Sequence, residues 1–158
     1  METVTINITR ASVLADMKVK VHAATASIAD DKARYLAQLG SEREQEAHQC
    51  ITDASLEVAT ALRRLLTGFP TQTETAGDAY DTTATITYVL TVSQRKSKGL
   101  AKFLAQAIHA YLVDSALSKY YVSVNHAELA APHLAALAVQ KSYIESLCYT
   151  KTEPSIPS

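Results

Sequence analysis

The chain has no tryptophan, and only four glycines, four prolines and two cysteines among its 158 residues. Two cysteines with no C-x-x-C spacing exclude a dense disulfide framework, and a reducing cytoplasm is the expected site of synthesis. The sequence leaves open whether Cys50 and Cys148 pair. Charge of one sign is also missing: 15 Lys and Arg stand against 16 Asp and Glu, a net charge of −1. That balance argues against a strongly basic nucleic-acid binder and against a highly charged disordered chain. Long apolar runs are absent, the longest being Leu134 to Val139, far short of a membrane span. Met1 to Arg10 lacks the basic start and apolar core of a signal peptide. No G-x-S-x-G elbow, G-x-x-x-x-G-K loop or G-x-G-x-x-G fingerprint occurs.

What the chain has is alanine and leucine, 26 and 16 residues. Both favour helix, and with so little Gly and Pro the helices should be long. The length suits one domain, because half of it would bury too little core. Residues 1–149 are expected to form that domain, with 150–158 as a flexible tail carrying Pro154 and Pro157.

Period-2 alternation of Val4, Ile6 and Ile8 with Thr5, Asn7 and Thr9 predicts a strand over Thr3–Arg10. Ser12 is placed to cap a helix running to about His22, followed by a loop over Ala23–Asp31. A short helix over Lys32–Leu39 would close at Gly40 as its C′ residue. Ser41 and Glu44 read as a capping box, opening a helix with apolar positions from Ala47 to Leu65/Leu66. Gly68 and Pro70 would stop it. Thr71 to Thr83 reads as a loop, and Ala84–Val92 as a second strand with Ile86, Tyr88, Leu90 and Val92 on one face.

After a basic turn over Ser93–Lys98, helical periodicity runs from Gly99 to about Val122, with a stripe that includes Phe103/Leu104, Ala107/Ile108 and Tyr111/Leu112. Asn125 and Glu128 suggest another capping box. Pro132 then requires either a kinked helix or a fresh one with Pro132 at its first position. The stripe beyond it is Leu129, His133, Ala136/Leu137, Tyr143/Ile144 and Leu147. The expected fold is mainly α: a bundle of about four main helices with two short β-strands, in the order β-α-α-β-α-α. Two strands alone are marginal, so they must pack on the helices or join strands of neighbouring subunits.

Candidate chemistry is sparse. The five histidines show no chelating spacing: His48 and Cys50 diverge on a helix, and His126 and His133 lie two turns apart. Glu42, Glu44 and Glu46 are explained by the positive end of a helix dipole, and Arg63 and Arg64 by the negative end. No catalytic residue, metal or cofactor is expected. Arg95, Lys96, Lys98 and Lys102 stand out, because cations at a helix start oppose the dipole. Such a cluster suits contact with phosphates or an acidic partner surface. Residues 1–79 carry a net −3 and residues 80–158 a net +2, a polarity that suits head-to-tail contact between identical subunits. Tyr111, Tyr120, Tyr121, Tyr143 and Tyr149 either rim the core or mark an interface.

The opening Thr3-Val4-Thr5-Ile6-Asn7-Ile8-Thr9-Arg10, the acidic Ala29-Asp30-Asp31, the threonine-rich Thr85-Ile86-Thr87-Tyr88-Val89-Leu90, the helix Tyr111 to Tyr121 and the close Leu147-Cys148-Tyr149-Thr150-Lys151 form a whole-chain pattern. It resembles the head–tail connector, or neck adaptor, proteins of tailed bacteriophages. The chain departs from that pattern in its basic turn Gln94–Lys98, and in Tyr120-Tyr121 where a tryptophan-containing pair is expected. The resemblance implies a structural virion protein and no enzyme. It implies a ring of copies of itself, commonly twelve, assembled in the host cytoplasm and located in the neck. Its partners would be the portal protein, a tail or stopper protein and, non-specifically, DNA in the channel, with no membrane. The alternative reading is a small cytoplasmic helical enzyme or ligand-binding bundle, motivated by the five histidines and by Asp114 near Tyr111. A weaker third is a regulator that binds a partner helix.

Overall fold

The computed structural model describes residues 2–32, 34, 38–68, 71–72, 85–93 and 99–149. Strand β1 (Glu2–Thr9) runs directly into helix α1 (Arg10–Thr25). A 3-10 turn over Ser41–Arg43 leads into α2 (Glu44–Ala61). Two short stretches, β2 (Thr71–Gln72) and β3 (Thr85–Val92), precede α3 (Leu100–Ser123) and α4 (Ala127–Cys148). The fold is mainly α, four helices against a small antiparallel sheet, in the order expected apart from the two-residue β2.

The strands find each other. β1 and β3 pair antiparallel along eight residues, from Glu2 opposite Val92 to Thr9 opposite Thr85. β2 adds to the other side of β3, within the segment expected to be all loop. The alternation read from sequence decides the buried face: Ile6, Ile8, Ile86, Tyr88, Leu90 and Val92 are all buried. On the opposite face Thr87 Oγ1 donates to Asn7 Oδ1 at 2.8 Å. Residues 73–84, the rest of the expected loop, and the tail 150–158 lie outside the described residues.

Helix α3 is the axis of the molecule. It packs against α1, α2, α4 and β1. Every residue from Tyr111 to Ser118 is buried, as a helix enclosed on all sides requires. Tyr111, Tyr120 and Tyr121 therefore belong to the core, whereas Tyr143 and Tyr149 are exposed. Phe103, expected on the inward stripe, is also exposed. Cys50 and Cys148 are buried and unbridged.

Several helix ends differ from the expectation. The first cap is Thr9, whose Oγ1 accepts from the Ser12 amide at 3.3 Å, and Ser12 lies within the helix. α1 extends to Thr25, three residues past His22. Between α1 and the 3-10 turn, the Arg34 amide donates to Asp30 O and that of Gln38 to Arg34 O, a helical pattern where a short helix was expected. Gly40 is not a left-handed C′ residue; among the described glycines only Gly68 and Gly99 have positive φ. The helix expected to open at Ser41 begins at Glu44, after the 3-10 turn, and the Glu44 carboxylate accepts from Lys18 Nζ. α2 ends at Ala61, before Gly68, because Leu62–Leu65 turn so that Leu66 can bridge to Leu90.

Asn125 caps nothing ahead of it. It adopts φ 62° and closes α3: its amide donates to Val122 O at 3.2 Å and the His126 amide to Tyr121 O at 2.8 Å. That is a Schellman ending with Asn at the left-handed position. Helix α4 then starts at Ala127 and runs through Pro132, so Pro132 is an interior residue and not the first of a new helix.

Candidate assembly surface

Of the four cations singled out in the sequence, Arg95, Lys96 and Lys98 lie outside the described residues. Lys102 sits in the first turn of α3, exposed, with no ion pair among the described residues.

A different surface is built by α4. Only Ala130, Leu137, Ile144 and Cys148 of its 22 residues are buried. These fall at intervals of seven, seven and four, a single narrow seam against α3. The composition of α4 is far more apolar than one seam needs. Ala131, Pro132, Leu134, Ala135, Ala138, Val139, Ser142 and Tyr143 all face outward, and no charged residue interrupts them. Val139 is 72% exposed, Leu134 53% and Tyr143 49%. Phe103 of α3, 53% exposed, lines one shallow pocket with Tyr143 and extends the patch onto the neighbouring helix. Single exposed apolar side chains are ordinary; a contiguous uncharged helix face is the kind of surface that proteins cover.

The sequence held a signal for this face. The run Leu134–Val139 has apolar residues at consecutive positions, and a helix cannot point six consecutive side chains inward. Read only for membrane span, it excluded a span and nothing more. No described helix is long and apolar enough to cross a membrane.

Polar side chains fix which side of α4 faces out. Asp114 of α3 is buried, and its carboxylate gathers donors from α4: His133 Nδ1 at 2.6 Å on one oxygen and Gln140 Nε2 at 2.5 Å on the other. His133 and Gln140 are seven apart and so share a helix face. Lys20 Nζ of α1 approaches the same carboxylate at 4.0 Å. The His133 ring stacks on Tyr121, with centroids 5.6 Å apart. The Tyr121 hydroxyl and Gln140 Oε1 are buried here without a hydrogen-bond partner among the described residues.

On the other flank of α3, α2 presents an acidic cleft lined by Glu46, Asp53, Leu56 and Glu57. Glu57 accepts from Lys119 and, at 3.1 Å, from Ser115 of α3. Cys50 lies at the cleft floor; burial, with Glu46 and Asp53 nearby, pushes its thiol up to about 11. A thiol so protonated is a poor nucleophile. Burial also pushes the Tyr120 phenol up to about 12. Both effects mark core positions.

The histidines do not converge. His109 Nε2 lies 2.5 Å from Asp16, His126 pairs with Glu128 at 2.9 Å, and His48 is buried in α2. Among the described residues no group of three or more His, Cys, Asp or Glu is arranged to hold a metal ion. The chain matches no family model, no curated protein and no solved structure.

Proposed function

We propose that this chain is a structural virion protein of the head–tail connector kind, a subunit of an oligomeric ring between portal and tail. The observation that carries the reading is the outward face of α4, an uncharged apolar surface around Val139 that water covers poorly and a second copy would bury. Rigidity supports it too: the middle of α3, buried throughout from Tyr111 to Ser118, and the Asp114 cross-link hold that face in a fixed register. The acidic α2 cleft on the opposite flank gives the subunit two unlike sides, and unlike sides suit heterologous contacts that close into rings. The whole-chain resemblance to neck adaptors supplies the portal and a tail or stopper protein as partners, with DNA in the channel as a non-specific contact. The neck of the virion is then its location.

The residues that motivated the enzymatic alternative have structural work. Asp114 holds His133 and Gln140, and His109 is engaged by Asp16. The assembly reading therefore accounts for more of the molecule.

The test is sedimentation velocity or mass photometry of the purified chain across a concentration series, beside Val139→Asp. The wild-type chain is expected to form discrete oligomers. Val139→Asp should remain folded by circular dichroism and shift to monomer. Labelling of purified particles with an antibody to the chain should decorate the neck. A chain that stays monomeric at every concentration and is absent from particles would overturn the reading.

A further inference from the structure

A second polar cleft, separate from the α4 face, lies where the end of α2 meets the end of α4. Past Ala61 the chain turns sharply, burying Leu62 and Leu65 in the core. That turn necessarily throws the two residues between them outward, and Arg63 and Arg64 are both exposed. The last turns of α4 face them across the gap with Lys141, Glu145 and Tyr149. The enclosed space is about 610 Å³, within the size range of small-molecule sites.

Among the described residues the charge in this cleft is unbalanced. Three cations face one carboxylate, and that carboxylate is held only loosely, Lys141 Nζ lying 3.9 Å from Glu145 Oε1. Neither Arg63 nor Arg64 makes an ion pair among the described residues. The C-terminal dipole of α2 offers roughly half a negative charge, too little for two guanidinium groups and an ammonium. Paired guanidinium groups match the planar, bidentate geometry of phosphate oxygens. Tyr149, 48% exposed at the rim, adds a flat aromatic face of the type on which nucleobases stack.

We propose that this cleft binds a nucleoside phosphate unit, with Arg63, Arg64 and Lys141 on the phosphate and Tyr149 against the base. The unit is either a free mononucleotide or part of a single-stranded nucleic acid. The site is independent of the α4 face and of the assembly reading.

The test uses the full chain with four probes: inorganic phosphate, adenosine monophosphate, a fluorescent oligo-dT, and polyglutamate as a non-phosphate polyanion. Variants are Arg63→Glu, Arg64→Glu, Arg64→Gln and Tyr149→Ala, with Lys32→Glu, at an exposed lysine outside the cleft, as an equal charge change. All lie at exposed positions, and circular dichroism checks each fold. Binding of the mononucleotide or the oligonucleotide is expected, and which of them binds tighter identifies the source of the ligand. Each arginine reversal should weaken it by about tenfold or more, and Arg64→Gln less. Tyr149→Ala should weaken nucleotide binding by about fivefold or more while leaving inorganic phosphate unaffected. Lys32→Glu should change little. Failure of all phosphate probes to bind at millimolar concentration would overturn the site. So would an equal loss in Lys32→Glu, polyglutamate binding as tightly as oligo-dT, or indifference to Tyr149→Ala.

Discussion

His133 Nδ1 of α4 lies 2.6 Å from Asp114 Oδ1 of α3, and these two helices form the most extensive helix–helix contact among the described residues. Apolar packing alone would tolerate a slide of α4 along α3, because Ala130, Leu137 and Ile144 form an even seam. A single carboxylate that must meet His133 and Gln140 together admits one register. That register points Leu134, Val139 and Tyr143 away from the core. The polar pair thus sets the geometry of the surface on which the proposed assembly depends.

Asp114→Ala should destabilise the fold by about 1–3 kcal/mol, since it strands half-buried donors on His133 and Gln140. Chemical denaturation followed by circular dichroism measures this directly. In a double-mutant cycle with His133→Ala the two losses should be strongly non-additive. Additive losses would mean the pair contributes no coupling.

Much of the architecture was legible from residue pattern. Both strands and their buried faces follow from period 2 at Val4–Ile8 and Ile86–Val92, and the main helices follow from the spacing of Ala47–Val58 and Leu104–Leu117. Local capping was less legible. Glu44 looks like half of a capping box until α1 brings Lys18 beside it, and Asn125 looks like the start of one helix while its backbone finishes another. Such outcomes depend on partners distant in sequence. The candidate surfaces were harder still. Arg63 and Lys141 are 78 positions apart and converge only because α2 ends early at Ala61. Asp114 stands near Tyr111 in the sequence, whereas its partners sit on the next helix.

Arg10 is a charged residue at 1% exposure, lodged where β1 becomes α1. Its guanidinium donates to His48 O at 3.2 Å and to Thr52 Oγ1 at 2.6 Å, joining the sheet end to α2. Arg10→Met keeps the bulk and removes these bonds. A loss of about 1–3 kcal/mol is expected, read from the denaturation midpoint. An unchanged midpoint would show that α2 needs no such brace.

Stability should fall in alkali. The Cys50 thiol rises from 9.0 to about 11 on folding, through burial first and then Glu46 and Asp53. The folded state therefore holds this proton more tightly than the unfolded state. Its contribution is fully present below about pH 9 and is lost as pH climbs toward 11. Tyr120, raised from 10.0 to about 12 by burial, continues the decline at higher pH. Thermal melts between pH 8 and 11 should show a falling midpoint, and Cys50→Ala should flatten the first part of that fall. A flat profile in the wild-type chain would contradict the burial argument.

Reversing Arg95, Lys96 and Lys98 to Glu together should leave the circular dichroism spectrum and melting midpoint nearly unchanged, since the sequence reads them as a charged turn and substitutions outside a core shift stability by roughly 0.5 kcal/mol or less each. Under the proposed connector function the same variant should fail to dock on its portal or to complement a phage lacking the chain. Full complementation would remove those cations from the docking surface.

Two buried tyrosines should respond differently to loss of the hydroxyl. Tyr88 and Tyr121 are both fully enclosed, so Tyr→Phe leaves the packing of either ring in place. The Tyr88 hydroxyl donates to Ser55 O at 3.2 Å and ties the central strand to α2. Tyr88→Phe removes that bond and should lower stability by about 1 kcal/mol. The Tyr121 hydroxyl has no hydrogen-bond partner among the described residues, although its ring carries the stack with His133. Tyr121→Phe keeps the stack and removes a buried polar atom, whose desolvation opposes folding. Stability should stay level or rise, and the Asp114–His133 coupling measured in the double-mutant cycle should survive. A loss as large as that in Tyr88→Phe would mean that the Tyr121 hydroxyl is a working member of the polar joint between α3 and α4.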